Sequence, residues 1–199
     1  MSLLKSLASA FKGGAGRVPL ARGYTSPWSF ASAWPARPPY EYQGSVHRAY
    51  LDNPVAQRAV RLVSEACGGA AIIASGASAA ENAEALALVR HVSAGQSLVE
   101  TLALHLLLHG NGYVQILPDA EGEPSELFAL RPERVSVELD NNGWPVAYAY
   151  RVLDRVTHLW AEDGRGHTAI MHLKAINPLD DHAGLGCIGA ASGPVAIHN

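Results

Sequence analysis

A change of hydrophobic period at Gly110 constrains this chain more than any other feature. Before it, apolar residues recur at helical spacing; after it they alternate. Val55, Ala59, Leu62, Val63 and Ala66 mark a first helix. Asn53-Pro54 opens it, because an Asn side chain accepts from the free backbone N–H groups of the first turn and Pro fits that turn. Gly68-Gly69 ends it. Ala70–Ala74 is expected as a short strand, and Glu81–Val92 and Gln96–Leu108 as the second and third helices, with Gly110 as the final cap. From Tyr113 the period is two. Tyr113–Leu117, Ser125–Leu130, Val135–Leu139 and Val146–Val152 read as strands, the last two joined at Asp140-Asn141-Asn142-Gly143, residues that tolerate positive φ. His158–Ala161 and Thr168–Leu173 are expected to form a further hairpin around Asp163-Gly164-Arg165-Gly166, and Ile188–Asn199 a closing helix. Helices followed by antiparallel strands predict an α+β fold.

Residues 12–50 obey neither period, and 1–50 as a whole read as an extended arm ahead of a domain at 51–199. Gly13, Gly14, Gly16, Gly23, Pro19, Pro27, Pro35, Pro38 and Pro39 oppose regular structure there. Tyr24, Trp28, Phe30, Trp34, Tyr40 and Tyr42 are interleaved with them. Aromatic side chains bury large areas and anchor interfaces, so the arm is expected to pack on a neighbouring chain or along its own body. The first residues, MSLLKSLASAFKGG, form a short amphipathic pattern without the continuous apolar core of a secretory signal. No apolar run approaches the ~18–20 residues of a membrane span. An intracellular protein without membrane partners is expected.

Charge divides along the same line. Residues 1–61 hold eight basic and two acidic residues, whereas 62–199 hold seven basic and sixteen acidic. A net charge of -3 excludes a chain that binds nucleic acid by bulk electrostatics. Charged residues are 17% of the total, against about 25% in an ordinary soluble protein. Surface poor in charge is often surface that meets a partner.

Little in the sequence supports catalysis. His105 and His109 stand four apart on one helix, a spacing that can share a metal, but no third ligand follows. His158, His167 and His172 fall on or between strand candidates. Gly184, Gly186 and Gly189 match G-x-G-x-x-G, a pattern that holds pyrophosphate only between a buried strand and a helix. Asp180-Asp181 is a loop pair of carboxylates. No catalytic, cofactor or metal site is assigned. Cys67 and Cys187 are expected as two buried free thiols rather than a disulfide.

Four segments together resemble the portal protein family of tailed bacteriophages and gene transfer agents. They are Asn53-Pro54-Val55-Ala56; His109-Gly110-Asn111-Gly112-Tyr113-Val114; Leu127 to Val135 with Leu130 and Pro132 in a spaced L-x-x-L-x-P pattern; and Ile170-Met171-His172-Leu173-Lys174 followed by Gly184-Leu185-Gly186. Where the family often has Ser-Pro after the last Gly-hydrophobic pair, Gly186-Cys187 stands here. The resemblance implies a homo-oligomeric ring, usually of twelve subunits, at one capsid vertex of a virion or virus-like particle assembled in the bacterial cytoplasm. It implies double-stranded DNA as the cargo and the major capsid protein, a head–tail adaptor and terminase as partners. It further implies that the matched region is a wing-like domain, with stem, clip and crown following Asn199, and no enzymatic role. A nucleotide- or metal-binding enzyme and another phage-type structural adaptor are the alternative readings.

Overall fold

A computed structural model of the chain describes residues 46–75, 78–162, 168–191 and 195. The arm aromatics Tyr24, Trp28, Phe30, Trp34, Tyr40 and Tyr42, and the turn at 163–167, lie outside the described residues. A π-helical turn, His47–Leu51, leads into α1, Pro54–Gly68. Asn53 caps α1 as its sequence predicts: its side-chain oxygen accepts from Ala56 N at 2.9 Å, and the residue is buried. α2, Ala79–Arg90, opens on a reciprocal box in which Ser78 and Glu81 bond each other's backbone N–H. α3 spans Leu98–His109. Ala70–Ala74, expected as a strand, has no regular structure; it is held where Arg90 donates to the carbonyl of Ile72.

The face that α1 turns inward is not the one its apolar pattern predicts. Val60 and Ser64 are buried, whereas Val55, Leu62 and Val63 are 59%, 55% and 47% exposed. Close approach to α3 explains the inversion. At Gly68 an added Cβ would come within 2.7 Å of Glu100 Cβ, so the contact side of α1 must be built from small residues. The apolar stripe is left pointing away from the body.

Among the described residues six strands follow, in two antiparallel sheets. The first has the order β2-β1-β6, built from Asn111–Pro118 (β1), Pro124–Leu130 (β2) and Ile170–Lys174 (β6). The second is a meander in the order β3-β4-β5, built from Val135–Leu139, Pro145–Val152 and Arg155–Trp160. At the β3–β4 turn the Asp140 side chain accepts from Asn142 N and Trp144 N, each at 2.8 Å, and Gly143 takes φ +82°. The expected hairpin between β5 and β6 does not form. β5 pairs with β4, while β6 crosses to β1 with Tyr113 opposite His172. Turn residues at 163–166 can reverse a chain, but they do not choose the strand's partner; the open edge of β1 does. α4 is Cys187–Ala190; of the helix expected over Ile188–Asn199, residues 192–194 and 196–199 lie outside the described residues. Cys67 and Cys187 are free, as expected, but exposed rather than buried.

One core joins the sheets: Tyr113, Leu130 and Ile170 of the first meet Tyr148 and Leu159 of the second. A second cluster ties the helices, with Ala49, Val60, Leu108 and Ile188. A third seats α3 on the first sheet through Leu98, Val114 and Ala129. Ser93 fixes the α2–α3 connection by donating to the Glu126 carboxylate on β2. Leu130 is among the most deeply buried side chains. Leu130→Ala is expected to cost about 2–5 kcal/mol through lost burial and the cavity left behind, read as a lower midpoint in denaturant unfolding at unchanged slope.

Candidate functional site

Gly110, Asn111, Gly112, Tyr113, His172, Gly184 and Gly186 converge where α3 turns into β1, whereas Asn53 and Pro54 open α1 and Pro132 opens a 3₁₀ turn. Gly110 ends the helix in the left-handed region, φ +71°, and its N–H closes back on Leu106 O at 2.9 Å. The last carbonyls of a helix need partners from elsewhere. The Cys187 thiol supplies one by donating to Leu107 O at 3.0 Å, and Asn111 Nδ2 another by donating to His109 O at 3.0 Å. The loop at 184–186 lies directly on this helix end. A Cβ added at Gly110 would overlap the backbone of Gly184 and Leu185; one at Gly184 would overlap Gly110, and one at Gly186 the carbonyl of Leu108. The glycines thus permit backbone to lie on backbone. At Gly112 an added Cβ would come within 3.1 Å of Leu102 Cδ2, so the first residues of β1 also run tight against α3.

Asn111 is the hub of this junction. Its Oδ1 accepts from Gly184 N at 2.8 Å and lies 3.0 Å from His172 Nε2. One amide therefore reaches the helix end, the C-terminal loop and β6 together. Gly110 O accepts from Ala175 N at 2.8 Å, fixing the start of the same loop. Further along, the Asp180 carboxylate accepts from His182 N and Ala183 N, and Asn177 donates to Ala183 O. The Asp180-Asp181 pair therefore shapes a loop: Asp180 bonds loop N–H groups, and the Asp181 carbonyl receives the Lys174 ammonium.

Beneath Asn111 three rings pack. Tyr113 stacks on His172 with centroids 4.3 Å apart, and Tyr148 meets both edge-on at 5.8 and 5.6 Å. Burial, then Lys174 and His182, pull the His172 pKa down to about 4, so at neutral pH its ring is uncharged and Nε2–H can donate to Asn111 Oδ1. Burial likewise raises the Tyr113 and Tyr148 hydroxyls above their ordinary range. Tyr148 belongs to this site although the motifs omit it. Its only sequence signal is a central position in an alternating strand.

The other candidates stay dispersed. His105 and His109 meet edge-on at 6.1 Å, with His109 Nε2 3.9 Å from Glu133. Burial and then the His109 charge push His105 down to about 4. Pro132 is buried and opens the 3₁₀ turn Pro132–Arg134, which positions Glu133. His158 lies on the second sheet, 3.1 Å from Glu138, and His172 on the first; His167 is outside the described residues. Among the described residues no group of three His, Cys, Asp or Glu side chains could hold a metal ion. The glycine-rich segment does not follow a strand directly, and the end of α3 fills the space beside Gly184 and Gly186 that a pyrophosphate would need. The arrangement holds segments in register.

Two outcomes follow from this geometry. Gly122 also has positive φ, +94°, but nothing stands within 4 Å of an added Cβ. Both Gly→Ala changes carry backbone strain, so Gly110→Ala is expected to destabilise by about 1–3 kcal/mol more than Gly122→Ala, the cost of overpacking, in paired denaturant melts. The second concerns pH. His105 and His172 in the folded chain resist protonation down to about 4, whereas histidines of the unfolded chain take up protons near 6.5. The unfolded state therefore binds more protons between those values, and stability falls as pH drops through that window. The melting temperature is expected to decline already between pH 6.5 and 5, above the carboxylate range, and more shallowly in His105→Gln.

The sequence model of the family described as "Phage portal protein" matches residues 54–199. Among curated proteins, the chain is 32% identical over 110 residues to an uncharacterized protein of Rickettsia felis, covering 53% of this chain and 26% of that protein. It is 26% identical over 156 residues to one of Rickettsia bellii, covering 75% and 40%. Among solved structures it is similar to a chain of the virion of a native gene transfer agent particle, with TM-score 0.69 and 30% identity, covering 98% of this chain and 47% of that one. It is also similar to a chain in the neck of an empty particle of that kind computed with C6 symmetry, with TM-score 0.69 and 35% identity over 85% of this chain and 47% of that one. A chain in the native neck computed with C12 symmetry matches with TM-score 0.69 and 30% identity, over 98% of this chain and 48% of that one. The chain thus spans less than half the length of each of these relatives. With the family match running from the first residue of α1 through the loop that meets Gly110, the chain belongs to the phage portal protein family.

Proposed function

We propose that this chain is the arm-and-wing portion of a portal subunit. Twelve such subunits form a ring at one vertex of a capsid, in a phage or a gene transfer agent, and double-stranded DNA passes through it on packaging and delivery. In this reading residues 1–50 are the arm and 51–199 the wing-like domain, and the stem, clip and crown belong to sequence beyond it. The contacts are with neighbouring subunits, the major capsid protein, the head–tail adaptor and terminase. The subunit has no catalytic role.

The observation that carries this reading is the junction at Gly110. Two of the four segments that carry the resemblance, 109–114 and 170–186, meet there through Asn111, and the family match spans both. The likeness to chains from gene transfer agent necks supports it. Charge supports it too. The sixteen acidic and seven basic residues beyond residue 61 give a body that does not grip phosphate, and a conduit needs that, because every phosphate contact adds affinity that would slow sliding.

The test is assembly of the complete gene product. Native mass measurement and negative-stain electron microscopy are expected to show closed rings of about twelve subunits, the symmetry of the matched native neck; a monomer at micromolar concentration would remove the proposal. Nucleotides or divalent metals are expected to leave the melting temperature within a degree. A rise of several degrees would favour the enzyme reading instead.

A further inference from the structure

The apolar stripe of α1 has no partner among the described residues. Val55, Leu62 and Val63 are about half exposed or more, and Ala59 and Ala66 lie exposed on the same face. At 100° per residue these five positions fall within an arc of about 100°, with buried Val60 beside it and buried Ser64 on the far side. Arg58, Arg61 and Glu65 edge the arc and pair with one another, at 3.2 Å for Arg58–Glu65 and 2.9 Å for Arg61–Glu65. That leaves an uncharged strip between a salt-bridged ridge and the helix rim. The chain also carries an apolar segment of matching character outside the described residues. Residues 24–42 hold six aromatics but only Arg37 and Glu41 as charges.

The place where that segment joins the body bears on which copy it covers. Val46, the first described residue, and Ala49 and Tyr50 pack in the cluster of Val60 and Leu108. The arm is therefore rooted on the buried side of α1, whereas the stripe looks out from the other side. A donor on one face and an acceptor on the opposite face is the geometry of a head-to-tail contact, which propagates from copy to copy and closes into a ring when the rotation allows. We propose that the α1 stripe receives the aromatic arm, residues 24–42, of the adjacent copy of this chain, so that each subunit is clasped by its neighbour. This rests on the ring reading above. It adds a specific contact: tryptophan and tyrosine side chains lying on Val55, Leu62 and Val63.

The test uses the complete gene product with Cys187→Ser, which leaves the exposed Cys67, four residues beyond Val63, as the only thiol in the 199 residues. Ala33→Cys or Ala36→Cys is then added beside Trp34, and the assembled protein is treated with a short bismaleimide. The expected result is a ladder of covalent dimers, trimers and higher species on a denaturing gel. Val55→Asp with Leu62→Asp is expected to reduce the ladder at least tenfold. Both positions are exposed, so the melting temperature of the unassembled chain serves as the folding control and is expected to hold. A cross-link confined within single chains would overturn the proposal in favour of an arm folded on its own body. Intact rings without any cross-link would overturn it while leaving the portal reading in place. Absence of rings in the wild-type protein would overturn both.

Discussion

The Asn111 side chain sits where three parts of the chain meet, and the rest of the architecture follows from that meeting. A primary amide has two donors and a carbonyl with two lone pairs. Here they reach the last turn of α3, the backbone of Gly184 and the ring of His172. Neither aspartate nor leucine, of similar size, could do this. Aspartate has no donor for the His109 carbonyl, and leucine would leave a loop N–H and a ring N–H unpaired in a half-buried site. The amide works only because glycine stands at 110 and 184, letting two backbones approach to within its reach.

Much of this was legible in the sequence, for identifiable reasons. The caps at Asn53 and Gly110, the turn at Asp140–Gly143 and the alternation of β1 to β4 are local properties, and local chemistry decides them. What failed was decided by distant partners. The stripe of Val55, Leu62 and Val63 has the right period for a buried face, yet α3 lies against the small residues on the other side. β6 carries a hairpin's turn signal before it, yet the open edge of β1 captures it. Ala70–Ala74 reads as a strand only because it is apolar, yet it pairs with none of the described strands. At the site, the glycines and Asn111 could be named from spacing. Tyr148 could not, because which rings will stack depends on how two sheets face each other.

The histidines show how burial converts a reactive side chain into a structural one. His105 and His172 resemble candidate ligands in the sequence. In the fold they are neutral rings held in apolar surroundings, one packed beside His109 and the other stacked on Tyr113. Their chemistry is suppressed by their position, and what the fold uses is the shape of both rings and the Nε2 of His172 beside Asn111 Oδ1. The same holds for Gly184 and Gly186, where the protein's own helix end takes up the space a ligand would need.

The insertion of the second sheet between β2 and β6 has a consequence for the chain as it leaves the ribosome. β1 and β2 are neighbours in sequence and can pair at once. The His172 ring that completes the hub arrives 61 residues after Asn111, and the Gly184 amide 73 residues after it. At about 5–20 residues per second, one edge of β1 is bare for several seconds during synthesis, while the strands of a complete three-stranded meander are made. The nascent protein therefore holds an open strand edge that only its own later sequence should fill, and the rate of translation through residues 119–174 sets how long a competing strand has to reach it first.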